Sequence, residues 1–293
     1  MIAFERIDGG RPFDWGRTSG DYATYRPAPP QSFFARLRAL GVGLPGQRIL
    51  DLATGTGVLA RQFARQGGVV TGIDIAPEQI AVATQLAAQE GLGARFAVAP
   101  AEASGLPAAG FDAVTANQCW MYFDKDRILP EIERLLAADG VLVVSFFSWL
   151  PGGDRLAKAS EELVLEFNPQ WQGAGWDGRI PPVPLWAEGK LELTAMFWYD
   201  EPIPFTRESW RGRFRACRGT GRRSTRSPWR RSTRRTMRCC GAWRRRRSRS
   251  CTGSTRTSCG RCAAPETPSK ASDHAFREAD RVCRGQPCRA RRL

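Results

Sequence analysis

The chain has 293 residues and a formal net charge of +15, a length that suits one α/β domain with a small addition, or two small domains. The charge is unevenly placed: residues 219–293 carry 21 Arg, one Lys and four acids, a net of about +18, whereas residues 1–218 carry 22 basic and 25 acidic residues, about −3. A nearly neutral body gives no electrostatic reason to expect a specific nucleic-acid partner, and no stretch approaches the ~18 consecutive apolar residues of a membrane span.

Only Cys119 and Cys217 precede Gly219, so the body is not a disulfide scaffold and fits a reducing cytoplasm. The opening MIAFERIDGG lacks a basic segment followed by an apolar run, so no signal peptide is expected. Residues 14–26 mix aromatic and charged side chains, and Pro27, Pro29 and Pro30 then break any helix. The spacing of Phe33, Phe34, Leu37 and Leu40 predicts a helix over 31–40. After a turn-rich link at 41–46, RILDLA (48–53) reads as a short buried strand, followed by a glycine turn and a helix that Gly67 and Gly68 close.

The alternation continues. VVTGID (69–74) predicts a strand, 77–90 a helix with Pro77 in its first turn, 95–99 and 111–116 strands, 125–137 a helix, and 141–147 (VLVVSFF) a buried strand. Short continuous apolar strands alternating with helices predict a Rossmann-like, doubly wound, mostly parallel sheet covered on both faces. Beyond it, 155–167 reads as a helix, 168–190 as an irregular cover rich in Trp, Gly and Pro, 191–205 as a late strand and 206–217 as a short helix.

The strongest local signal is Asp51-Leu-Ala-Thr-Gly55-Thr-Gly57, directly after a strand and opening a helix. The two glycines permit a tight turn and close approach of a ligand to the backbone, and amides at a helix start favour a polar or anionic group. The next strand ends in Asp74, at the spacing where an acid accepts hydrogen bonds from a ribose diol. Gly55-x-Gly57-x-x-Ala60 also fits a nicotinamide dinucleotide fingerprint. Asp51 discriminates: a carboxylate there repels a pyrophosphate but can help hold the ammonium group of a sulfonium amino acid, directly or through water.

These stretches resemble class I S-adenosylmethionine-dependent methyltransferases of the bacterial small-molecule type: ILDLATGTG (49–57), TGIDIAPEQI (71–80), PAEASGLP (100–107), FDAVTANQCWMYFD (111–124) and LPEIERLLAADGVLVV (129–144). SEELVLEFNPQWQGAG (160–175) and PFTRESWRGRFRACRG (204–219) resemble one uncharacterised branch of it. The resemblance implies a methyltransferase domain over 1–218, divided into an N-terminal lid (1–45), a core (46–150) and a cover with the late strand (151–218). It implies S-adenosyl-L-methionine as cofactor and a small-molecule acceptor, and leaves the acceptor and the oligomeric state unspecified. By the same resemblance Ala53, Gly55 and Gly57 face the methionine part, Asp74 binds the ribose, Ile75 packs on the adenine, and Ala101 and Glu102 lie at its edge. Asn117 and Gln118 line the methyl-transfer cleft, and Tyr22, Tyr25 and Arg26 belong to the lid. Gln118 and Tyr22 are the candidates for a catalytic role. Ala53 replaces the first glycine of the usual triplet, and Pro100 stands where many relatives have an acid. No histidine lies before residue 274, so no general base stands out. Methyl transfer can draw most of its acceleration from positioning and water exclusion.

Residues 219–293 contain one Val, one Leu and no Ile, and predict an Arg/Ser/Cys-rich disordered tail. Arg244 to Arg247 form a dense basic cluster, which leaves a nucleic-acid-binding protein with a degenerate methyltransferase domain as an alternative. Cys259 and Cys262 with the distant His274 do not complete a zinc site, so no metal is expected. Arg, Ser, Thr, Cys, Pro and Trp are also what GC-rich codons yield out of frame. A frame change near Gly219–Arg223 would give residues 222–259 an amphipathic helix and then a strand. In the family the final strand lies antiparallel between the fifth and sixth. Its loss would expose the edge of the fifth strand and leave the sixth without a partner.

Overall fold

The computed structural model describes residues 7–8, 14, 16–177, 185–187, 191–217 and 219–220. Two helices, α1 (Ser19–Tyr25) and α2 (Gln31–Ala39), precede the first strand, β1 (Arg48–Leu52). There follow α3 (Val58–Arg65), β2 (Val69–Asp74), α4 (Pro77–Gln89), β3 (Arg95–Val98), β4 (Phe111–Asn117), α5 (Lys125–Leu135), β5 (Leu136–Ser145), α6 (Arg155–Phe167) and α7 (Arg207–Arg215). The strands form one sheet in the order β3-β2-β1-β4-β5, and every pairing is parallel. The expected Rossmann-like alternation is therefore present, and strand order reverses between β1 and β4, where open α/β sheets place their ligands.

The period of two along each strand sorts side chains onto two faces. Ile49 and Ala113 join Phe33, Phe34 and Phe63 on the face covered by α2 and α3. Leu50, Leu52, Val114 and Ala116 join Ile128, Ile132 and Leu135 of α5 on the other. Each fully buried aliphatic side chain here contributes about 1.5–3 kcal/mol relative to exposure. Helix starts follow ordinary capping chemistry: Asp124 accepts from the Asp126 amide, Asp154 from the Leu156 and Ala157 amides, and Thr206 with Ser209 forms a reciprocal cap.

A third cluster unites Ala157 and Val164 of α6, Trp171, and Trp210 and Phe214 of α7. The Trp210 indole donates to Ser160 Oγ at 3.1 Å, and the Trp149 indole donates to Glu161. Helix α1 docks on α7. The Tyr25 ring occupies the space where a Cβ at position 212 would stand, and Arg215 makes two 2.8 Å bonds to the Asp21 carboxylate.

Two expectations are corrected. The fifth strand begins at Leu136, not 141. Phe111 pairs with Leu136 but Ala113 with Val141, so residues 137–140 loop out of register before regular pairing starts. The late strand at 191–205 is not a strand: these residues have no ladder partner. They lie instead along α2, where Tyr199 Oη and Ser32 Oγ are 2.9 Å apart, Arg36 stacks on the Tyr199 ring at 3.9 Å, and Phe197 meets Phe33. Alternating apolar side chains supply a face, but a strand also needs a neighbouring backbone, and among the described residues β5 ends the sheet. Leu191, Leu193, Met196 and Trp198 are accordingly exposed. The expected tail lies outside the described residues, apart from Gly219 and Thr220, which pack back on Asn168 and Phe214.

Candidate functional site

The turn between β1 and α3 alternates handedness. Ala53 (φ 48°), Gly55 (φ 58°) and Gly57 (φ 74°) are left-handed, with Thr54 and Thr56 between them. Such alternation turns successive backbone amides inward, a geometry suited to polar ligand groups. Three bonds fix the turn: Thr54 N donates to Ile73 O at 2.9 Å, Gly57 N to Thr54 O at 2.9 Å, and Gly55 N to Asp74 Oδ2 at 2.9 Å. The glycines have different reasons. A Cβ at Gly57 would meet the Phe96 ring at 3.0 Å and Ala83 Cβ at 3.1 Å, whereas one at Gly55 would find only Gln79 Oε1 at 3.7 Å and Tyr22 Cε1 at 3.9 Å. Gly55 therefore opens onto space bounded by the Tyr22 ring.

The two acids flank this turn at different depths. Asp74 ends β2, is 8% exposed, and is oriented by the amides of Gly55 and Ala76, the latter at 2.9 Å from Oδ1. A carboxylate can accept up to about four hydrogen bonds, so these two backbone donors set its plane. Asp51 lies beneath the turn, 2% exposed. Strand register puts it between Gly72 of β2 and Thr115 of β4. Its Oδ2 accepts from Thr54 Oγ1 at 2.6 Å and its Oδ1 from Thr115 Oγ1 at 2.8 Å. Each oxygen of Asp51 thus accepts from a threonine hydroxyl below the loop. Burial raises the Asp51 carboxyl from 3.8 to about 6. The Thr54 and Thr115 hydroxyls and the Ala60 amide oppose that rise, and the charge of Asp74 reinforces it.

The remaining expected residues divide. Ile75, just past Asp74, is 51% exposed and offers an apolar surface. Ala101 is buried in a short 3-10 turn behind Pro100, and Glu102 accepts from the Asp124 amide at 3.2 Å. Asn117 ends β4 and accepts from Ser145 Oγ at 3.0 Å. Gln118 is left-handed (φ 64°). Its amide donates to Ser145 O at 2.9 Å and its side chain to Phe147 O, so it laces the ends of β4 and β5 together. Tyr22 stands by Gly55 with Arg26 stacked on its ring at 5.0 Å. Tyr25 is not brought to the loop: its ring lies on Gly212 and its hydroxyl donates to Glu208 at 3.3 Å. Cys119 is buried, and burial followed by the charges of Asp51 and Asp74 raises its thiol well above 9.0, which leaves it inert as a nucleophile.

Thr54, Thr115 and Gln79 were missed. Thr115 carried a signal, a hydroxyl within the otherwise apolar run AVTA. Gln79 is buried beside Gly55 on α4. The turn also holds an unsatisfied group: Thr56 Oγ1 is buried without a hydrogen-bond partner among the described residues, as is Trp120 Nε1 just beyond β4. An open, left-handed turn with an unpaired hydroxyl, an acid at the end of the next strand and an exposed isoleucine beside it fits an adenosine-containing ligand with a polar tail. No group of three or more metal-ligating side chains gathers among the described residues, and none of their helices is long and apolar enough to cross a membrane.

Residues 50–144 match the family described as a methyltransferase domain. The chain is 42% identical over 123 residues to the demethylmenaquinone methyltransferase of Thermus thermophilus, covering 40% of this chain and 56% of that one. It is 35% identical over 128 residues to the ubiquinone biosynthesis O-methyltransferase of Psychrobacter cryohalolentis, covering 42% and 50%. The chain thus spans about half the length of the curated relatives it matches. Among solved structures, phosphoethanolamine N-methyltransferase 2 of Haemonchus contortus in complex with S-adenosyl-L-methionine aligns with a TM-score of 0.40 at 26% identity, over 48% of this chain and 33% of that one.

Proposed function

We propose that this chain, whose residues 50–144 match a methyltransferase-domain family, is a class I methyltransferase that transfers a methyl group from S-adenosylmethionine to a small organic acceptor. The observation that carries the reading is the Gly55 amide bonded to the Asp74 carboxylate at the carboxyl ends of β1 and β2, beside the switch in strand order. Asp74 would hold the ribose hydroxyls, Ile75 the adenine face, Ala101 and Glu102 its edge, and the 53–57 backbone the methionine part. The cofactor supplies a methyl group already activated by a positively charged sulfur. The protein's share is therefore to orient and to exclude water, with Tyr22 over the turn and Gln118 bracing the mouth between β4 and β5.

The acceptor would enter at the ends of β4 and β5. There Phe146 and Met121 are exposed, and the buried Trp120 packs on Trp186 at 4.5 Å and Phe123 at 5.9 Å. Exposed apolar side chains of this kind suit a planar aromatic acceptor. The two curated relatives are named for quinone-type molecules, which agrees with that class. Calorimetric titration of the intact chain with S-adenosylhomocysteine and, separately, with NAD tests the cofactor. Binding of the first alone supports the reading, and binding of NAD instead ends it. Transfer of labelled methyl from S-adenosylmethionine to a panel of catechols and quinols then tests the acceptor class.

A further inference from the structure

Asp51 is a buried carboxylate that the proposed transfer does not use directly, and the geometry around it assigns it a task. We propose that Asp51 is a positioning residue that makes no contact with the cofactor and acts on it through Thr54, whose hydroxyl it holds so that the Gly55 amide points at Asp74. The inference rests on the methyltransferase reading of the same turn.

Thr54 is the hub of the turn. Its side chain donates to Asp51 at 2.6 Å, its amide to Ile73 O of β2 at 2.9 Å, and its carbonyl accepts the Gly57 amide at 2.9 Å. The side chain also fits against Gly72, where a Cβ would come within 2.8 Å of Thr54 Oγ1. Rotating the Thr54 side chain away from Asp51 would therefore disturb a residue clamped on both sides. One residue later, the Gly55 amide meets Asp74 at 2.9 Å. Thr115 holds the other oxygen of Asp51 at 2.8 Å and so prevents the carboxylate from turning. The Ala60 amide, in the first turn of α3, contributes to its charge balance. The chain Thr115–Asp51–Thr54–Gly55–Asp74 runs from β4, through β1 and the turn, to the end of β2.

The test pairs hydroxyl-keeping with volume-keeping substitutions. Thr54→Ser retains the bond and Thr54→Val retains the bulk. S-adenosylhomocysteine affinity is expected to stay within about twofold in Thr54→Ser and to fall about tenfold in Thr54→Val, the loss expected for one hydrogen bond to a charged group. A merely space-filling role reverses that order. Adding Asp51→Asn to Thr54→Val is expected to cost no further affinity, because both act on one link. Additive losses, or an Asp51→Asn defect with Thr54→Val unaffected, would mean direct contact and overturn the proposal. A second measurement needs no ligand. Amide exchange at Gly55 is expected to accelerate at least tenfold in Thr54→Val and to stay as in the parent in Thr54→Ser. Unchanged exchange in Thr54→Val refutes the positioning role. Failure of the parent protein to bind S-adenosylhomocysteine, with exchange as expected, would instead remove the methyltransferase reading alone.

Discussion

Replacing Asp51 by Asn isolates what it costs to keep a charge under the turn. Burial raises this carboxyl from 3.8 to about 6. A folded-state value above the unfolded one means the group favours the folded state most when it is protonated. That advantage is complete below the unfolded value of 3.8 and is lost as pH rises through about 6. A carboxyl moved that far is worth about 3 kcal/mol once fully ionised, at ~1.4 kcal/mol per tenfold change. About 2 kcal/mol of this develops between pH 4.5 and 7.5, because part of the penalty is already present at the lower pH. Asn has nearly the same shape and still offers an oxygen to one threonine and an N–H to the other, without the charge. Urea unfolding of both proteins across this range should therefore show the variant gaining about 2 kcal/mol relative to the parent as pH increases. Taking the difference cancels titrations common to the two proteins. A difference that is flat with pH, or that moves the other way, would refute the claim that Asp51 is held against its own desolvation.

Three further outcomes are expected, two from the same geometry and one from the composition of the tail. Gly72→Ala places a Cβ 2.8 Å from both Thr54 Oγ1 and the Phe96 ring, and should cost about 1–3 kcal/mol in urea unfolding; an unchanged midpoint would show that the clamp on Thr54 is loose. Asp74→Asn, which removes the charge from a carboxylate held by two backbone amides, should weaken S-adenosylhomocysteine binding by about 10–100-fold in calorimetry. The nucleotide sequence of codons 215–265 should accommodate the shifted reading that yields an amphipathic helix and a strand; a sequence incompatible with that frame ends the idea of a frame change.

The elements that were legible in the sequence are those whose partners are local or periodic. Helix α6 falls at the expected residues because Asp154 caps it and Ala157, Ser160, Glu161 and Val164 recur on one buried stripe. Strands β1, β2 and β4 announced themselves as short apolar runs because both of their faces are covered. The segment at 191–205 misled because periodicity reports a face and says nothing of the neighbouring backbone, and none pairs with it. Tyr25 misled for a related reason. It lies three residues from Tyr22, yet its ring packs on Gly212 of α7, nearly two hundred residues away in sequence. In the candidate site, the acids at 51 and 74 and the glycines between them were readable from spacing. The depth of Asp51 was not, because it depends on the register that sets Thr115 on one side and Gly72 on the other.

That depth has a consequence for binding. The two carboxylates repel one another, since the charge of Asp74 helps to raise Asp51, and the turn above them is where the cationic, methionine part of S-adenosylmethionine would lie. A cation there favours the ionised form of Asp51 and must lower its carboxyl below about 6. Linkage then requires that binding release protons when the unliganded group is partly protonated, up to about half a proton near pH 6 and almost none at pH 8. Calorimetric titrations at pH 6 in two buffers of different ionisation enthalpy should give apparent enthalpies that differ in the direction of release, and affinity should weaken as pH falls below 6. Asp51→Asn should abolish the buffer dependence at pH 6 while the Asp74 contacts persist. Proton uptake, or a buffer dependence that survives in Asp51→Asn, would mean that the charge felt by the bound group is not the one buried beneath the turn.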